Sequence, residues 1–134
     1  MNSITKKIIS FLQPEKDVKF AFIFGSLASG QMTSSSDLDI AILFNHTPDF
    51  NTINELKDAL VAALNKEIDL IPLNNASPIL KMQILKKGVL IINNNNKAYD
   101  DFIIRTVNEY DDLKRIRNEI EMNILKGRIY QRKF

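Results

Sequence analysis

"FGSLASGQMTSSSDLDIAILF", Phe24 to Phe44, carries a Gly-Ser step after one apolar strand and two aspartates at the start of the next. Side chains alternate along a strand, so Asp37 and Asp39 point the same way, roughly 7 Å apart. Two carboxylates at that spacing repel each other unless a cation lies between them. Hard oxygen ligands on a rigid strand suit Mg²⁺, which takes one or two protein carboxylates and completes its shell with water and phosphate. Gly25 lets the backbone approach a ligand closely, and successive amides after it attract phosphate. The Ser26 hydroxyl adds a donor. Phosphate cradle and paired carboxylates together describe a nucleoside triphosphate site. The bland alternative is a capped serine loop ahead of an ordinary strand.

Working outward, "KFAFIF" (Lys19 to Phe24) is apolar on both faces and reads as a buried central strand. The polar run from Gly25 to Ser36 is a loop, with room for a short helix from Ser26. "DLDIAILF" (Asp37 to Phe44) is the second strand. Before these, Ile4, Ile8, Phe11 and Leu12 recur at helical spacing until Pro14. After them, Thr52 and Glu55 have capping-box spacing ahead of Ile53, Leu56, Leu60 and Leu64, which predicts a helix to about Lys66.

"EIDLIPL" (Glu67 to Leu73) is a third strand holding another acid, Asp69, in an apolar run. If it pairs beside the second strand, three aspartates converge. Glu67, two residues earlier on the same face, is a rival ligand, and a solvated strand-edge acid is the plain alternative. Ser77-Pro78 starts a further helix, "GVLII" (Gly88 to Ile92) is a short strand, and Asn93 to Asn96 form a turn. From Ala98 a long amphipathic helix follows, with Phe102, Ile103, Tyr110, Leu113, Ile120 and Ile124 as its stripe. Alternating helices and strands predict an α/β (α+β) fold: a small mixed β-sheet flanked by helices, with a long C-terminal helix.

The 134 residues fit one domain, read here as residues 1–134 with a core over 1–96 and a helix over 97–134. A net charge of +2 is too small for a basic nucleic-acid face, so no direct nucleic-acid binding is expected. The absence of cysteine excludes thiolate chemistry and suits the cytosol. The opening "MNSITKKIISFLQPEKD" is too quickly charged for a signal peptide, and no apolar run reaches membrane length. The expectation is a cytoplasmic protein with no membrane association.

Gly25-Ser26, then Asp37-x-Asp39, then an acid on a following strand together resemble the DNA polymerase β-like nucleotidyltransferase superfamily. The small size and "GSLASGQMTSSSDLDIAIL" resemble its minimal nucleotidyltransferases (MNT), antitoxins of HEPN/MNT toxin–antitoxin pairs. The resemblance implies a polymerase β-like palm in which Gly25 and Ser26 hold the triphosphate. It also implies that Asp37 and Asp39 bind two Mg²⁺ ions and that Asp69 completes one site and helps deprotonate the acceptor. ATP is the implied donor, and the implied acceptor is a tyrosine hydroxyl of a cognate HEPN ribonuclease toxin, with which a hetero-oligomer can form. Two alternatives stand beside this reading: a binding-only antitoxin that occludes its toxin, and a small-molecule adenylyltransferase of the aminoglycoside type. One position departs from the family pattern. Ser29 stands where many members carry arginine, which removes a charge available to phosphate or partner.

Other candidates read as structural. His46 is a lone loop histidine, and Phe20, Phe22 and Phe24 recur with the period of a packed strand face. Lys114 to Arg117 is basic, but acids on either side make it a solvated helix face. The last helix carries more apolar surface than a small sheet needs covered, which suits helix-in-groove binding to a partner.

Overall fold

The computed structural model describes residues 3–25 and 38–132, with side-chain surroundings through residue 127. Helix α1 (Ser3–Leu12) leads into β1 (Val18–Phe24), which is followed by β2 (Leu38–Phe44), α2 (Phe50–Leu64) and β3 (Ile68–Pro72). A single 3₁₀ turn (Leu73–Asn75), α3 (Pro78–Lys87), β4 (Val89–Asn93) and α4 (Asn96–Arg132) complete the order. The four strands form one sheet in the order β3-β2-β1-β4. β1 runs antiparallel to β2 and β4, while β2 and β3 are parallel. This is the expected small mixed sheet flanked by helices, with a long final helix. The loop expected over residues 26–36 lies outside the described residues.

Alternation along the strands builds two cores. Ala21 and Ile23 of β1, Ile40 and Ile42 of β2, and Ile68 and Leu70 of β3 face α1 and α2, packing on Ile8, Leu12 and Leu60. Phe20, Phe22 and Ala41 face the other way, toward Ile84 of α3 and Phe102 of α4. β1 is therefore buried on both sides, as its unbroken apolar run requires. The Phe20 ring meets Phe22, Tyr99 and Phe102 edge-on, with centroids 5.9, 5.3 and 5.1 Å away. The period-two phenylalanines are thus packing residues rather than a stacking platform for bases.

Local polar groups set the element ends. Helix α2 starts earlier than its capping-box spacing predicts, because Asp49 rather than Thr52 is the cap: its Oδ1 accepts from the Thr52 amide at 2.7 Å. That hydrogen bond holds the Asp49 carboxyl below its ordinary value. The helix also stops at Leu64, short of Lys66, where Asn65 takes a left-handed φ of 53°. Ser77 caps α3 as expected, accepting from the Leu80 amide with Pro78 in the first turn. Asn74 both accepts from the Phe44 amide and donates to the Phe44 carbonyl, at 3.0 Å each, so its side chain continues the ladder of β2.

The asparagine run works as a joint rather than a simple turn. Asn94 donates to the Val18 and Lys19 carbonyls, and Asn95 Oδ1 accepts from the Ala98 amide to open α4. Only the first part of α4 covers the sheet, through Tyr99, Phe102 and Thr106. Its 37 residues span about 55 Å at the helical rise, far more than a four-stranded sheet needs. From residue 111 to 127 every residue is exposed, including Ile116, Ile120 and Ile124 at about half exposure each. Much of the predicted stripe therefore has no cover among the described residues. Among the described residues, no helix is long and apolar enough to cross a membrane.

Candidate active site

Parallel pairing sets Asp39 of β2 directly beside Asp69 of β3. Parallel neighbours lie about 4.8 Å apart and point to the same face, here the face of Ala41 and Ile71 that looks toward α3 and α4. The neighbours of Asp39 in the chain, Leu38 and Ile40, are fully buried on the opposite face and anchor its orientation. Asp39 is half-buried, and Asp69 is exposed on an edge strand. Pro72 ends that strand at the sheet edge, where a missing amide donor is tolerated.

On its other side Asp39 aligns with Phe24 at the end of β1, and Gly25 follows with φ +69°. A Cβ built at residue 25 would run into Asp39 Oδ2 and lie 3.2 Å from Asp39 Cγ. The glycine is therefore required twice, once for its left-handed backbone and once because the carboxylate occupies the space a side chain would take. This bears directly on why the sequence places a glycine ahead of an acid: residue 25 has no side chain because Asp39 lies against its main chain.

Of the five residues singled out from sequence, the structure brings together Gly25, Asp39 and Asp69. Ser26 and Asp37, and with them Ser29, lie outside the described residues. Glu67 sits just ahead of β3, where its carbonyl accepts from the Leu38 amide at 2.9 Å. Asp69, not Glu67, is thus the acid in register with Asp39. Two carboxylates on adjacent strands, both hard oxygen donors, are a donor set suited to a small divalent cation. Among the described residues no third acid or histidine joins them.

One basic feature has no local signal in the amino-acid pattern. Val89 pairs with Ile23, so α3 ends near the same end of the sheet as the carboxylates and brings Lys86 and Lys87 there. The Lys86 ammonium lies 5.5 Å above the Tyr110 ring, and Lys114 covers the same ring at 5.7 Å. Which end of the sheet a helix terminus reaches is decided by strand pairing, which composition does not reveal.

A mixed sheet whose first strand ends in a glycine turn, with aspartates aligned on the next two strands, defines a nucleotidyltransferase. The chain belongs to the Polymerase beta, Nucleotidyltransferase family, which it matches over residues 6–97. It is similar to the protein adenylyltransferase MntA of Shewanella oneidensis, at 32% identity over 117 residues, covering 85% of this chain and 82% of MntA. Its fold matches a toxin–antitoxin crystal structure with AMP-PNP at a TM-score of 0.78 and 29% identity, over 90% of this chain and 98% of that one. It also matches the MNT antitoxin in a complex with the tri-AMPylated Shewanella oneidensis HEPN toxin, at a TM-score of 0.73 and 27% identity, over 91% and 96% of the two chains.

Proposed function

We propose that this chain is a Mg²⁺-dependent protein adenylyltransferase antitoxin that moves AMP from ATP onto a tyrosine hydroxyl of a cognate HEPN toxin. The observation that carries the reading is the register of Asp39 with Asp69 against the bare backbone of Gly25. Support also comes from MntA, named a protein adenylyltransferase, and from the neighbour in which an MNT antitoxin accompanies a tri-AMPylated toxin. The AMP-PNP of another neighbour supports ATP as the donor.

In this reading Asp39 and Asp69, with Asp37, would hold Mg²⁺, and Gly25 and Ser26 would present amides and a hydroxyl to the triphosphate. The metal supplies charge neutralisation at the phosphates and a lower pKa for the acceptor hydroxyl. The phenolic oxygen attacks the α-phosphorus in line. A new O–P bond forms as the bond to the bridging oxygen of the β-phosphate breaks, and pyrophosphate leaves with the electron pair. Asp69, at the edge of the sheet, accepts the phenolic proton. Residues 1–96 act as the catalytic core in the cytoplasm. The exposed Ile116, Ile120 and Ile124 of α4 supply the surface that docks the toxin.

The test is intact-mass spectrometry of the cognate HEPN protein after incubation with this chain, ATP and Mg²⁺. A gain of one AMP or a multiple, absent with Asp39→Asn, is the expected result. A stable complex without any mass gain would replace transfer by occlusion. No gain and no complex would point to small-molecule acceptors.

A further inference from the structure

A cavity of about 460 Å³ opens at the opposite end of the aromatic face from Asp39 and Asp69, where the end of β2 meets α3 and the first turns of α4. Its volume falls within the range of small-molecule sites. Lys19, Lys81, Lys97 and Arg105 line it against one acid, Asp101. Among the described residues Lys19, Lys97 and Arg105 make no ion pair, and Lys81 has only a 4.0 Å approach to Glu109. Lys81 is nonetheless largely withdrawn from water, with its side chain 14% exposed and its ammonium 5.9 Å from the Phe102 ring. Four cations around one concavity repel each other, and a single carboxylate does not balance them.

A second observation is independent of charge. Thr106 also lines this cavity and is 1% exposed, yet its Oγ1 has no hydrogen-bond partner among the described residues. Buried hydroxyls are ordinarily satisfied. Among the nearby side-chain amides, Asn74 is committed to the Phe44 backbone and Asn45 donates to the Lys16 carbonyl, whereas Asn95 only accepts, through Oδ1, from the Ala98 amide. Donors left over among the described residues are thus the cations, the Asn95 side-chain amide and the hydroxyls of Thr47 and Thr106. Phosphoryl oxygens, which accept several charge-assisted hydrogen bonds at once, match that donor set.

We propose that this cavity is a second, anion-binding site that takes a small phosphoryl-bearing molecule. Lys19, Lys97 and Arg105 contact its charge, Lys81 closes the α3 side, and Thr106 Oγ1 donates from the floor. The site is separate from the carboxylates, and the proposal does not depend on adenylyl transfer.

The experiment is an amide-shift NMR titration of the full chain with inorganic pyrophosphate and, separately, with AMP, in EDTA so that no metal bridges the probe to Asp39 and Asp69. The expected result is saturable shifts at the amides of residues 43–47 and 95–106, retained in Asp39→Asn. Lys97→Ala with Arg105→Ala should weaken binding roughly tenfold or more, as loss of two charge-assisted contacts requires. Thr106→Val, which keeps the shape and removes the hydroxyl, should weaken it without lowering Tm. Equal binding of both probes assigns recognition to the phosphoryl group, and preference for AMP adds the nucleoside. Absence of saturable shifts with either probe at millimolar concentration overturns the proposal, as do shifts indifferent to the charge removal or confined to the neighbourhood of Gly25 and Asp39. Response only to a single-stranded RNA oligomer would overturn it as well.

Discussion

The two ends of the aromatic face carry different chemistry on one scaffold. At one end Asp39 and Asp69 stand side by side with a bare glycine turn against them. At the other, lysines and an arginine line a cavity together with the buried Thr106. Between them Phe20 and Phe22 pack against Tyr99 and Phe102. The apolar middle is buried and packed ring on ring, and chemistry-bearing residues collect where the strands end and side chains escape the core. The acidic end is a donor set for cations, whereas the basic end is a donor set for anions. In the proposed account a single sheet would carry two sites that need not communicate.

The largest effect should come from breaking what the ends share. Phe20→Ala removes the ring that touches three others and should destabilise the fold by about 3–5 kcal/mol, measured by urea unfolding. Both ends should lose binding together. Gly25→Ala is narrower. It forces a Cβ into a left-handed backbone, for about 1–2 kcal/mol, and displaces the Asp39 carboxylate. Nucleotide transfer should collapse while pyrophosphate binding at the basic cavity is unchanged. If both fall equally, the two ends are not independent.

Ile120→Asp should touch neither end. Its side chain is 53% exposed on the uncovered part of α4, so stability should stay within about 0.5 kcal/mol of the parent. Pull-down of the cognate toxin should weaken. Unchanged capture would remove α4 from the docking surface.

The smallest effect belongs to the cap of α2, which packs on the opposite face of the sheet from the aromatic cluster. Asp49→Ala should lower Tm slightly at neutral pH. The Asp49 carboxyl titrates below its ordinary 3.8 because the Thr52 amide bonds its ionised form. Its contribution is therefore present above 3.8 and lost as pH falls through the lower folded value. The Tm gap between parent and variant should shrink on acidification, and a gap that widened would contradict the cap.

Much of the fold was legible because local rules agreed. The double-sided apolar run of β1, the Ser77-Pro78 start of α3 and the alternation that aims Asp39 away from Leu38 and Ile40 can each be read within a few residues. Where local rules compete, neighbouring residues do not decide the outcome. Asp49 and Thr52 both precede a helical stripe with a polar residue three positions on, and only the folded chain shows which cap is used. Gly25 and Asp39 could be paired by type, but the contact that excludes a Cβ at residue 25 is a fact of strand register. The choice between Asp69 and Glu67 is likewise non-local, since two acids two residues apart differ in where the strand begins and in what the adjacent strand sets beside them. The basic cavity gathers residues from β1, α3 and α4, far apart in sequence, and no motif announces it. The α4 stripe shows an apolar surface without saying what covers it.

The most direct measurement compares nucleotide transfer in Asp69→Asn and Glu67→Gln, with ATP and Mg²⁺ and the cognate HEPN protein as acceptor. Because Asp69 is the acid in register with Asp39, its substitution should slow transfer by roughly 10²–10³-fold, with Tm unchanged and Glu67→Gln close to the parent. Equal losses in the two variants, or a larger loss in Glu67→Gln, would contradict the Asp39–Asp69 site.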